Sequence, residues 1–170
     1  MADLPIIPKD PWVPCTPKVT STPESRTPEL YFDVIAQFRV TKEARYAPTK
    51  DATFCNIFAQ DVMAAMGVPL PREMTANATL KLMSDPGPGI PGWHVGDKSA
   101  AIAKARDGHP AMMGYFNPQG AHGHLAILCP ASTLTTPITA QAGAQNFINE
   151  SATMSFSARK LISVIWCWAD

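Results

Sequence analysis

The spacing of apolar residues changes partway along this chain. In "RTPELYFDVIAQF" the residues Leu30, Tyr31, Val34, Ile35 and Phe38 form one stripe at helical spacing, behind Thr27 as a cap and Pro28 at a first helical position. This predicts a helix over 28–38. In "DATFCNIFAQDVMAAMGVPLP" (51–71), Phe58, Val62, Ala65 and Met66 recur with the same period. Thr53 or Asp51 is the expected cap, and Gly67 with Pro69 ends the run. "MTANATLKLMS" (74–84) predicts a shorter helix closed by "DPGPGIPG", and "DKSAAIAKARD" (97–107) another, with Asp97 as cap and Gly108 as stop.

From Pro110 the pattern becomes short and β-rich. "PAMMGYF", "GHLAILC", "ITAQAG" and "LISVIWCW" are separated by turn-forming stretches, of which "NPQGAH" is the clearest, and together they predict an antiparallel meander. Helices followed by strands, without strict alternation, favour an α+β fold over a doubly wound one.

Before the first helix, prolines stand at 5, 8, 11, 14 and 17. A spacing of three places their rings on one face of a polyproline II helix, so residues 1–27 are expected to form an extended arm and 28–170 the domain. The arm either lies on its own domain, with Trp12 as its anchor, or docks a carrier.

Composition narrows the function classes. Basic and acidic residues balance at fourteen each and no block of five like charges occurs, which argues against a nucleic-acid partner. The start "MADLPIIPKDPW" lacks the basic and apolar regions of a Sec signal, and no apolar run approaches the ~18 residues of a membrane span. The expectation is a chain made in the cytoplasm, without membrane insertion. Four cysteines, at 15, 55, 129 and 167, with no CxxC pair, give neither a disulfide framework nor a zinc knuckle.

Cys55 is the candidate for chemistry. In the first turn of a helix, free backbone N–H groups and the dipole favour a thiolate and lower the thiol pKa, although its face is also that of a buried structural cysteine. A thiolate nucleophile needs an imidazole, and the histidines are 94, 109, 122 and 124. His124 is best placed, at the start of the strand in "AHGHLAILCP"; His122 belongs to the turn, and Gly123 permits a close approach. Gln141, or Asn146 just beyond its strand, offers a side-chain carbonyl to orient the ring. The Cys55 backbone N–H, the Tyr46 hydroxyl and the Asn56 amide are candidate oxyanion donors, worth roughly 3–4 kcal/mol each in such sites. A rival is a zinc site built from His122 and His124 with Cys55 or His94. Cys129 and Cys167 fall in apolar strands and are expected to be buried, while Cys15 on the arm is a conceivable disulfide partner for either.

"RYAP", "TFCNIFAQDVMAAMGVPLP", "TAN", "GW", "DKSAAIAKARDGHPAMMGYFNPQGAHGHLAILCPA" and "ITAQAGAQNF" together resemble the papain-like cysteine amidases of the NlpC and CHAP kind, over about residues 45–147. Such enzymes include phage endolysins and secreted antibacterial effectors. The resemblance implies a papain-like α+β fold with the nucleophile helix packed on an antiparallel sheet, and cleavage of an amide bond in bacterial cell-wall peptides. It makes Cys55 the nucleophile, His124 the base and later acid, and Gln141 the third polar residue, a position where these families more often carry His, Glu, Asp or Asn. Tyr46 matches the tyrosine upstream of the nucleophile, and Asn77 and Trp93 are expected in the cleft floor. No cofactor is implied. The partner is peptidoglycan, joined for an effector by a cognate immunity protein and a secretion carrier. A papain-like shell that binds cell-wall peptide or a partner without turnover is the non-enzymatic alternative.

Overall fold

Local chemistry sets where the helices begin and end in the computed structural model, which describes residues 4–85, 87, 89–120 and 122–170. Helix α1 spans Pro28–Gln37, and its cap Thr27 accepts the Leu30 N–H at 3.1 Å. Helix α2 spans Cys55–Ala65. Phe54, not Thr53 or Asp51, occupies its cap position, and no side chain caps it. The Thr53 hydroxyl lies near the Cys55 thiol instead, and the first N–H groups of the helix have no capping side chain. At the other end Gly67, at φ 76°, closes a Schellman motif: Val68 N–H bonds Met63 O and Gly67 N–H bonds Ala64 O. Helices α3 (Ala76–Ser84) and α4 (Lys98–Arg106) are capped by Thr75 and Asp97.

The strands are β1 (Trp93–Gly96), β2 (Ala111–Tyr115), β3 (His124–Leu128), β4 (Ile138–Ala142), β5 (Asn146–Ser151) and β6 (Ile165–Ala169). They form one antiparallel sheet in the order β1-β6-β2-β3-β4-β5. The fold is therefore α+β. The meander holds from β2 to β4 and continues into β5, but the last strand does not extend it: β6 crosses back to lie beside β2, with Cys167 opposite Met112. Strand β2 is buried from Ala111 to Gly114, so pairing on both edges satisfies backbone groups that water does not reach. Strands β1 and β5 carry no apolar alternation; β1 is an edge strand exposed from His94 to Gly96, and β5 buries only Phe147. Helices α5 (Ala152–Ser155) and α6 (Ala158–Leu161) fill the connection to β6.

Helix α2 packs on β3 and β4. Four consecutive β3 residues, Leu125 to Leu128, are buried, so elements cover both faces of the sheet there. The fully buried Tyr31 exchanges two hydrogen bonds with the Ala111 backbone and ties α1 to the start of β2. Each large core side chain contributes about 1.5–3 kcal/mol of burial.

The proline segment is not one continuous polyproline helix. Ile6 and Thr16 form an antiparallel bridge around a turn closed by the Val13 N–H to Asp10 O bond, so the arm doubles back on itself. Trp12 is 56% exposed and is not its anchor. Arg45 is. The buried guanidinium donates to the carbonyls of Pro8, Asp10 and Pro11 and twice to the carboxylate of Asp61 on α2, using all five of its N–H groups. Tyr46 and Arg72 complete the cluster around Asp61 at 2.8 and 2.6 Å. The arm thus lies on its own domain.

All four cysteines are free thiols. Cys15 faces the Tyr46 hydroxyl at 3.9 Å rather than either partner expected for a disulfide. Burial pushes the Cys15 thiol up to about 11 and those of Cys129 and Cys167 to about 12. Among the described residues no helix is long and apolar enough to cross a membrane.

Candidate active site

Cys55 is the first residue of α2 and lines an open cleft of about 650 Å³, walled by residues 48–54, His122, Gly123 and Trp12 of the arm. The 49–52 turn holds that wall in place, with the Thr49 hydroxyl accepting the Ala52 N–H at 3.0 Å. The thiol lies near the backbone N–H groups of Leu125, Asn56 and Cys55 itself and near the Thr53 hydroxyl. All four favour a thiolate, yet burial outweighs them and raises the Cys55 pKa above its ordinary value. The lowering expected from the helix N-terminus is present but is not the net result. The resting group is a thiol.

Leu125 follows His124 in β3, so the sulfur sits against the backbone that carries the imidazole. The two side chains are not hydrogen-bonded to each other. His124 Nε2 instead lies 2.6 Å from Gln141 Oε1. The Gln141 amide has its orientation fixed, because its Nε2 donates to Gln145 O at 2.9 Å. A carbonyl oxygen can only accept, so His124 carries its proton on Nε2 and keeps the lone pair on Nδ1. The register explains the pairing: β3 and β4 align Ile127 with Ala140, and continuing that ladder sets Gly143 opposite His124, with Gln141 diagonal to it. A Cβ on Gly143 would stand 2.8 Å from Gln141 Nε2 and 3.4 Å from His124 Cε1. A bulge in β5, where Asn149 adopts φ 67°, sets Phe147 opposite Gln141. The buried Phe156 packs against the imidazole, with ring centroids 5.2 Å apart. Burial, and then the charge of Lys160, lower the His124 pKa, while the Gln141 bond opposes them. His124 is therefore neutral at neutral pH.

The other residues singled out in the sequence divide differently. Asn56 lines the cleft, but its amide donates to Met74 O at 3.0 Å. Tyr46 is fully buried and its hydroxyl donates to Asp61, so it does not face the cleft as an oxyanion donor. Asn77 clamps the turn before His122: its amide donates to Asn117 O and Gly120 O and accepts the Asn117 N–H. Gly123 fits beneath that clamp, where a Cβ would fall 2.4 Å from Asn77 Oδ1. Trp93 lies on the edge strand β1, its indole N–H on Val68 O, outside the cleft lining. Asn146 is structural, bonding Val40 O, Tyr46 O and Gly143 N–H. His122 is exposed at the cleft rim, as expected for a turn residue. Among the described residues no group of three His, Cys, Asp or Glu side chains is arranged to hold a metal ion, so the proposed zinc ligands do not converge.

Thr53, Phe156, Lys160 and the Arg45–Asp61 pair escaped the sequence reading of the site. Asp61 alone carried a signal, as an acid within the apolar run "FAQDVMAA". Chemically, the arrangement offers a thiol at a helix N-terminus and a neutral, oriented imidazole on the adjoining strand. No protein-family model matches the chain, and no curated protein matches it.

Proposed function

We propose that this protein is a papain-like cysteine amidase that hydrolyses an amide bond in the peptide part of bacterial peptidoglycan, in an antibacterial or lytic role. The observation that carries the reading is the His124–Gln141 hydrogen bond: with Gln141 Oε1 accepting the Nε2 proton, Nδ1 is left as a base on the strand whose next N–H lies near the Cys55 sulfur. In the proposed reaction Nδ1 removes the thiol proton as the sulfur adds to the amide carbonyl. The Cys55 backbone N–H, at the open end of α2, stabilises the oxyanion. Nδ1–H then protonates the departing amine as the C–N bond breaks and leaves a thioester. Water, deprotonated by Nδ1, attacks the thioester, releases the carboxylic acid and returns the proton to the sulfur. The thiol and imidazole close their remaining gap on substrate binding, as catalytic hydrogen bonds often tighten only in the complex. No cofactor takes part.

Acting on the wall implies delivery to the periplasm or cell wall, by lysis for an endolysin or by a carrier for an effector, the latter with an immunity protein over the cleft. The raised Cys55 pKa favours one second reading, a papain-like module that binds cell-wall peptide without turnover. Digestion of purified peptidoglycan by wild type and Cys55→Ala separates them. New amine termini from wild type alone support the amidase, and equal product from both removes Cys55 from the mechanism.

A further inference from the structure

Trp12 is a large aromatic side chain left 56% exposed, on a segment built to keep it in place. Its backbone N–H donates to Asp10 Oδ1 at 2.9 Å within the turn. The carbonyls of Pro8, Asp10 and Pro11, just before it in the chain, are held by Arg45, whose guanidinium is anchored on Asp61 in the same helix that begins with Cys55. The indole lines the cleft that Cys55 lines. Exposing an indole costs hydrophobic free energy, and tethering it through a buried ion pair adds a desolvation cost. Trp12 does not recover these costs by burial in the core.

We infer that Trp12 is a substrate platform, stacking on a sugar ring of the glycan next to the peptide bond that is cut, and that it makes the protein prefer glycan-bearing substrate to free peptide. This rests on the peptidoglycan reading above. The chemistry of the wall supports a pyranose: the flat apolar indole stands beside the polar side chains of Thr49, Lys50, Asp51 and Thr53, all exposed. A sugar ring has the matching character, an apolar C–H face for the indole and hydroxyl and acetamido groups for a polar rim. The arm then belongs to the substrate site, and its three carbonyl bonds to Arg45 set the platform relative to the nucleophile helix.

The test compares kcat/KM for a disaccharide-bearing muropeptide with that for the same stem peptide without sugar. Trp12→Ala is expected to lower the ratio of the two about tenfold, mainly through KM, with Trp12→Phe retaining most of the preference. An unchanged ratio overturns the inference. Because Trp12 is largely exposed, the melting temperature should stay close to wild type; a large drop accompanied by an unchanged ratio marks Trp12 as structural. A second arm needs no turnover: peptide-free glycan oligomer is titrated into full-length Cys55→Ala protein by calorimetry. Binding that weakens about tenfold when Trp12→Ala is added supports the platform even if wild type cleaves nothing, and absence of glycan binding overturns it even if peptide is cleaved.

Discussion

His124 and Gln141 form a 2.6 Å hydrogen bond between Nε2 and Oε1, and Gln141 is itself held by the Gln145 carbonyl. Under the proposed mechanism Gln141 is a positioning residue. Gln141→Ala should reduce kcat about 10- to 100-fold with little change in KM, as the ring loses its tautomer and orientation. Gln141→Glu should retain activity but raise the acid limb of the kcat/KM profile by about one pH unit, because a carboxylate stabilises imidazolium. A merely structural glutamine would leave that limb where it is.

Gly143 fills the space beneath the same pair. Gly143→Ala sets a methyl 2.8 Å from Gln141 Nε2 and 3.2 Å from its Cδ, so the amide must shift from His124. Its kcat should fall as far as that of Gln141→Ala, at a cost of about 1–3 kcal/mol in stability measured by denaturant unfolding. A Gly143→Ala protein with wild-type kcat would show that the Gln141 bond is dispensable to the proposed mechanism.

The pKa directions predict an unusual acid limb. Burial and Lys160 hold His124 below its ordinary value of about 6.5, so the neutral, basic form persists on the acid side of that value. Activity limited by His124 should therefore begin to fall only below about pH 6.5. Lys160→Ala removes a repelling charge and should move the limb upward, toward that value. Alkylation of Cys55 by iodoacetamide tests the other partner. Its thiol is raised, so the rate should keep climbing into the alkaline range rather than level off near pH 5–6 as for a preformed thiolate–imidazolium pair.

The helices α1 to α4 and the strands from β2 to β4 were legible because caps, breakers and apolar spacing agreed with one another, as at Thr27 with Pro28 or Gly67 after Met66. Strand β1 was not, since an exposed edge strand needs no apolar face, and β5 was not, since only Phe147 points inward. The return of β6 to β2 is a long-range pairing that local pattern does not encode. Within the candidate site, the His124–Gln141 hydrogen bond was legible from residue chemistry, since Gln141 offered a side-chain carbonyl to the ring. The balance of burial against N–H donors at Cys55 was not, because desolvation depends on what covers the sulfur. Tyr46, Asn77, Trp93 and Asn146 drew attention as polar or aromatic residues near the motifs, yet the bonds they make go to backbone groups, to Asp61 or to the Cys15 thiol.

Tyr46 offers the clearest separation of scaffold from chemistry. Its hydroxyl donates to Asp61 Oδ2 at 2.8 Å and its ring packs edge-on against Phe58, all beneath the surface. Tyr46→Phe keeps the ring and removes one charge-assisted bond from a buried carboxylate that retains Arg45 and Arg72. A loss of about 1.5–3 kcal/mol in unfolding free energy is expected, with kcat held within about twofold of wild type well below the melting transition. Arg45→Ala should cost more, about 3–5 kcal/mol, because it breaks a buried pair and strips donors from three arm carbonyls together. Protease digestion and hydrogen exchange should then find residues 4–17 opened while α2 stays protected. A Tyr46→Phe protein with unchanged stability but a kcat lowered 100-fold or more would return that hydroxyl to the oxyanion and displace it from the scaffold.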